Sequence, residues 1–135
     1  MTDASGEARV KHLEFLQSTI TRLANNSFLI RGWAITLTSA LVGISIGSGK
    51  SSLAIASAIP VIGFWFLDFF YLRQERLFRK LYDAVSRGDS TIPLFSMEVA
   101  AYRALIKKRE VLFSPTLYLF YAPLLAVNLA VFFWI

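Results

Sequence analysis

The sequence contains no cysteine and only one histidine, His12. The first absence excludes disulfides, thiolate metal sites and thiol nucleophiles. The second leaves no imidazole cluster for a catalytic metal. Charge is missing from the twenty-five positions Val111 to Ile135 and from the eighteen between Arg31 and Lys50. Glycine and proline are absent from Phe64 to Arg87, so nothing in that stretch breaks a helix. What the chain has in excess is oil: 56% of its 135 residues are hydrophobic, twelve are Phe, and the mean hydropathy is +0.55. A single domain of this composition belongs to the membrane class. The polar N-terminus reaches its first long oily run too late for a cleavable signal peptide.

The central stretch, FWFLDFFYLRQERLFRKLYDAVSR (Phe64 to Arg87), changes from aromatic to basic near Tyr71 to Arg73. That pattern predicts a helix leaving a membrane into the cytosol. Before it, Leu13, Leu16, Ile20, Leu23, Ser27 and Ile30 recur at spacings of three and four, predicting a cytosolic amphipathic helix over 7–30. Its seam fits packing within the chain or a self-associating stalk. The first transmembrane helix is expected over 31–49, with Ser39, Gly43 and Gly47 on one small-residue line that another backbone can approach, in this chain or another.

Gly47 to Ser52 reads GSGKSS, but a phosphate-binding loop needs glycine where Ile44 stands, so a turn is expected. A second span covers 53–72, bent by Pro60 and Gly63. A cytosolic helical hairpin follows over 73–113, its second helix capped by Ser96, with Val99, Tyr102, Leu105 and Ile106 facing inward. The third span covers 114–135, opening with Ser114 as N-cap and Pro115 as first residue; Asn128 is its one strongly polar interior side chain. The expected fold is all-α: an integral membrane protein with three transmembrane helices and amphipathic cytosolic helices, assembled as a homo-oligomeric bundle.

Fourteen Lys and Arg set the orientation. Four precede the first span, nine lie between Arg73 and Arg109, and only Lys50 lies between the first two spans. The positive-inside rule therefore places the N-terminus and 73–113 in the cytosol and the Lys50 turn and Ile135 outside. With five carboxylates, the 73–113 segment carries +4. No nucleophile arrangement or metal-ligand spacing points to an enzyme, a metal or a cofactor. His12 reads as a solvated helix residue.

Asp68 sits about one turn inside the cytosolic boundary, where an unpaired charge is costly. It fits a structural pair with Arg31 or a pore-lining gate. Asn25 and Asn26 fit bonded helix glue or a polar constriction. Arg76, Lys80, Arg87, Arg103, Lys107 and Lys108 form a basic cytosolic face, explained by topology and anionic membrane lipid or by an anionic ligand. Were that ligand nucleic acid, Tyr82 or Tyr102 would be available to stack on bases.

The stretches RLANNSFLIRGW (Arg22 to Trp33) and FWFLDFFYLRQERLFRKLYDAV (Phe64 to Val85) resemble the transmembrane effectors of the Hailong anti-phage system. The resemblance covers roughly residues 10–87 and extends to SLATT-type two-span effectors, from which the third span departs. It implies a homo-oligomer, a tetramer, forming an ion channel that a single-stranded DNA oligomer from a partner nucleotidyltransferase holds closed. Loss of the DNA opens it and depolarises the cell. The resemblance assigns no DNA ligands; those come from the charge map alone. Against this stand a non-conducting anchor that recruits a cytosolic protein and, with few polar groups in the spans, a small transporter.

Overall fold

A computed structural model describes residues 4–135. Four α-helices and one 3-10 turn make up its regular structure: α1 (Ala4–Ser48), α2 (Ser51–Ser86), the turn at Ala100–Tyr102, α3 (Lys108–Leu112) and α4 (Pro115–Trp134). No strand occurs among the described residues. Three of these helices, α1, α2 and α4, are long and apolar enough to cross a membrane.

The amphipathic helix and first span expected separately are one helix of 45 residues, about 68 Å long at 1.5 Å per residue. The seam explains the continuity, because steps of three and four residues carry on past Arg31, now mostly four. Leu16, Ile20, Ser27 and Ile30 are buried, and Ala34, Thr38, Val42 and Ser45 continue the same line. Helix α2 likewise runs unbroken from its oily to its basic half, with Pro60 inside it.

The two helices form an antiparallel hairpin in constant register. Arg9 meets Val85, Ser27 meets Asp68 and Ser45 meets Lys50, so one partner number falls as the other rises. Both helices end alike. Gly49 (φ +66) and Gly88 (φ +78) take left-handed backbone while the amides of Lys50 and Asp89 reach back to Ser45 and Ala84 carbonyls. This is the Schellman ending, in which glycine avoids the Cβ clash of a left-handed residue. Gly49 in GSGKSS is thus a helix stop.

Arg9 adds a second constraint at α2's end, where its guanidinium donates to the carbonyls of Val85 (3.1 Å) and Ser86 (2.5 Å). A Cβ on Gly88 would lie 3.2 Å from that guanidinium, whereas one on Gly49 meets nothing. Gly88→Ala is therefore expected to cost more than Gly49→Ala. Each carries about 1–2 kcal/mol of left-handed strain, and only the first also displaces Arg9. Thermal unfolding of the two purified variants checks the order.

Two cores lie along the hairpin. Leu16, Leu77, Leu81, Val85 and Val99 form one, with Leu13, Phe78, Tyr82, Ile92, Tyr102 and Ile106 packed against it. Ala34, Val61, Leu117 and Tyr121 form the other, where α4 joins.

The expected helix from Ser96 to Leu112 is absent. Residues 96–107 instead run irregularly through the 3-10 turn before the five-residue α3. Side chains from the long helices take carbonyls that a helix would use internally. His12 bonds the Ser96 carbonyl at 2.7 Å, and Arg73 donates to those of Arg103 and Ile106 at 3.4 Å. Phe95, at φ +62, turns the chain there and lies 6.0 Å from His12 and 5.9 Å from Phe15, ring to ring. His12 is correspondingly buried at 1% exposure, which corrects the solvated reading. Val99 is buried and Ile106 half-buried as expected, but Leu105 is 64% exposed. Ser114 and Pro115 open α4 as the sequence predicts, although the Ser114 hydroxyl makes no cap bond.

Candidate functional site: a buried carboxylate where three helices meet

Asp68 on α2 has no exposed surface. Its neighbours are fixed by helix spacing. Ser27 and Arg31 are one turn apart on α1, so both face α2 at the same level, and Tyr121 arrives from α4. The Ser27 hydroxyl donates to Asp68 Oδ1. Arg31 Nε donates to Oδ2 at 2.7 Å and Nη2 approaches Oδ1 at 3.5 Å, while the Tyr121 hydroxyl donates to Oδ2 at 2.9 Å. Four contacts from two other helices converge on one carboxylate.

The surroundings hold these donors in place. Trp65, three residues before Asp68, stacks on Tyr121 with ring centroids 5.8 Å apart and planes 7° apart. Its indole N–H donates to the Leu112 carbonyl at 3.0 Å, tying α3 to the same point. The Arg31 guanidinium sits 5.9 Å from the Phe120 ring centroid, and its side chain retains 26% exposure. The anion is sealed and the cation faces the edge. A buried pair of this kind contributes little against apolar packing, yet losing one partner strands a charge and is costly. Its chemistry is that of a latch joining three helices. To line a pore, Asp68 would first have to release Ser27, Arg31 and Tyr121.

Among the expected site residues, the structure thus brings Arg31 and Asp68 together. Asn25 is exposed and Asn26 half-buried, and no bond joins either to the carboxylate. Ser27 fills the role considered for them. Its place in the seam, four residues before Arg31, was the available signal. Tyr121 gave none, since a tyrosine in an apolar span reads as bulk. Asn128 is 1% exposed, accepts the Ser57 hydroxyl and donates to the Leu124 carbonyl at 3.0 Å, making a second polar link between α2 and α4.

The basic residues distribute along the hairpin's other half. Arg76 is half-buried on α2; Lys80, Arg87, Arg103, Lys107 and Lys108 are exposed. Arg76 and Arg87 lie about 16 Å apart along the helix direction at 1.5 Å per residue. Among the described residues, none of these six is ion-paired, while Arg79 is held by Glu75 at 2.7 Å. Tyr82 and Tyr102 pack on the first core, which leaves neither ring free for stacking on both faces. Nearby, Thr91's hydroxyl and then its amide hold the Asp89 carboxyl below its ordinary value. That stabilisation is present above the ordinary value and is lost as pH falls through the lowered one. No group of three or more His, Cys, Asp or Glu side chains suited to a metal occurs among the described residues.

Compared with protein-family models, curated proteins and solved structures, the chain matches none. Fold and site together define an all-helical chain whose three long helices, each apolar enough to cross a membrane, are tied at one buried carboxylate.

Proposed function

We propose that the chain is a homo-oligomeric ion channel of the bacterial inner membrane, lined by α1 and held closed by an anionic ligand on its basic cytosolic side. The observation that carries this reading is the outer face of α1. At 3.6 residues per turn, Asn25, Gly32, Thr36, Ser39, Gly43 and Gly47 fall within about 80° of one another, an arc they share with one large residue, the exposed Leu29 near its cytosolic end. All six are exposed, opposite the buried line of Ala34, Thr38, Val42 and Ser45. A Cβ at Gly32, Gly43 or Gly47 would meet nothing within 4 Å. Small and hydroxylated residues gain little from lipid tails but gain closely packed backbones or water in an assembly. Since one chain of three spans cannot enclose a water path, several copies must supply it.

The orientation is that of the positive-inside rule, with the N-terminus and residues 73–113 cytosolic. The ligand is a short single-stranded DNA oligomer from a partner nucleotidyltransferase, bound through Arg76, Lys80, Arg87, Arg103, Lys107 and Lys108. A tetrameric effector in anti-phage defence is the biological setting that the Hailong resemblance suggests. Induced expression in bacteria without the nucleotidyltransferase is expected to depolarise the cells, read with a potential-sensitive dye. Intact potential with the protein confirmed in the membrane overturns the channel.

One observation favours a non-conducting adaptor instead. Leu94, Phe95, Met97 and Leu105 are 56%, 47%, 39% and 64% exposed outside the long helices, forming apolar surface that a protein partner can cover. Under that reading expression leaves the potential intact, and replacing these four residues with serine abolishes partner recruitment.

A further inference from the structure

We infer that the groove between α2, α3 and α4 is a binding site for one anionic phospholipid. The groove encloses about 270 Å³ and is lined by Ile62, Trp65, Phe66, Leu112, Phe113 and Leu125. Every lining side chain is apolar or aromatic, and the one polar group among them, the Trp65 indole N–H, is already committed to the Leu112 carbonyl. The occupant must therefore be apolar where it enters. Ile62, Trp65 and Phe66 share one face of α2 at spacings of three and four, so the groove runs along that helix into the span. Phe66 and Phe113 remain 55% and 58% exposed beside it.

Positive charge precedes the groove's α3 wall in the chain. Lys107, Lys108 and Arg109 are exposed and, among the described residues, without an ion pair. Arg109 precedes Leu112 and Phe113 by three and four residues on α3, so it shares their side of the helix. An apolar slot with cations at its rim complements an amphiphile whose head is anionic and whose tail is hydrocarbon. A nucleic acid has no tail for the slot. A second copy would offer an apolar helix, but the one carboxylate within its spans, Asp68, is sealed and neutralised. The lipid's acyl chain lies against Trp65 and Phe66, and its phosphate sits among the three cations. Lys107 and Lys108 are then shared between the lipid phosphate and the edge of the proposed DNA surface, while Arg76, Lys80, Arg87 and Arg103 serve the soluble anion alone.

The inference rests on the membrane placement in the proposed function but not on conduction. It is tested with a chain carrying Trp33→Phe and Trp134→Phe, both at exposed positions, so that Trp65 is the sole tryptophan. The protein is reconstituted in phosphatidylcholine bilayers with increasing phosphatidylglycerol, or phosphatidylcholine, brominated on its acyl chains. Trp65 fluorescence is expected to reach half-quenching at about one-tenth the mole fraction of the anionic lipid, an enrichment that three interfacial cations can supply. Adding Lys107→Gln, Lys108→Gln and Arg109→Gln removes the difference, while Lys107→Arg with Lys108→Arg keeps it. Equal quenching by both lipids overturns the inference in favour of ordinary surrounding lipid. Quenching by neither overturns it in favour of a groove covered by protein. A channel that conducts normally is compatible with either failure, so the two proposals are separately decided.

Discussion

Arg31→Leu is expected to destabilise the protein by about 3–5 kcal/mol, because it leaves a sealed carboxylate without its cation. Asp68 has no exposed surface and therefore no route to water, whereas the Arg31 side chain is 26% exposed. The two halves of the pair are not equivalent. Asp68→Asn keeps one oxygen to accept the Ser27 hydroxyl, its amide N–H can donate to the Tyr121 hydroxyl oxygen instead of accepting from it, and the freed guanidinium can turn outward, so this change is expected to cost only about 1–3 kcal/mol. Replacing both by leucine removes both charges and recovers most of the Arg31→Leu loss. Unfolding in detergent, in the Trp33→Phe, Trp134→Phe background and followed by Trp65 fluorescence, checks the order, since Trp65 stacks on Tyr121 within the network. If Arg31→Leu proves no worse than Asp68→Asn, the carboxylate is not the point that ties α1, α2 and α4.

The second large effect concerns the basic half of the hairpin. Reversing Arg76, Lys80, Arg87 and Arg103 to glutamate is expected to abolish measurable binding of a short single-stranded DNA oligomer. Four phosphate contacts give a salt slope of about −2.8, so wild-type affinity falls about 50-fold between 50 and 200 mM salt. Among the described residues the four arginines and lysines have no carboxylate partner, so their reversal breaks no ion pair there. Arg73, which holds the Arg103 and Ile106 carbonyls, is left intact to preserve the segment. Fluorescence anisotropy over a salt series measures both quantities. Salt-insensitive binding, or binding that survives reversal, removes this surface as the ligand site.

Much of the architecture was legible because long-range order here follows one-dimensional patterns. The oily-to-basic change at Tyr71 to Arg73 marks α2, the uncharged run after Val111 marks α4, and the three-four seam marks the buried line of α1. The Arg31 to Asp68 pair was readable for the same reason: one charge inside a span needs a counterion at similar depth. Position 96 to 107 was not legible. Its helical signals were real, but the carbonyls there are satisfied by His12 and Arg73, from elements far away in sequence. His12 was misread with it, since nothing local marks a histidine as facing a distant loop. Tyr121 joined the site from a third helix whose angular position no periodicity in so uniformly apolar a span could fix. The outer face of α1 was seen only in part, as Ser39, Gly43 and Gly47. Its extension through Thr36 and Gly32 to Asn25 emerged once α1 proved continuous.

The most direct test of an anion-closed channel is ion flux from liposomes containing the purified protein, with and without short single-stranded DNA on the side of the basic face. Flux is expected without DNA, with suppression by the oligomer at low salt and relief of that suppression as salt rises. No flux from vesicles shown to contain the inserted, assembled protein would contradict the channel, and flux indifferent to DNA would contradict its closure by that ligand.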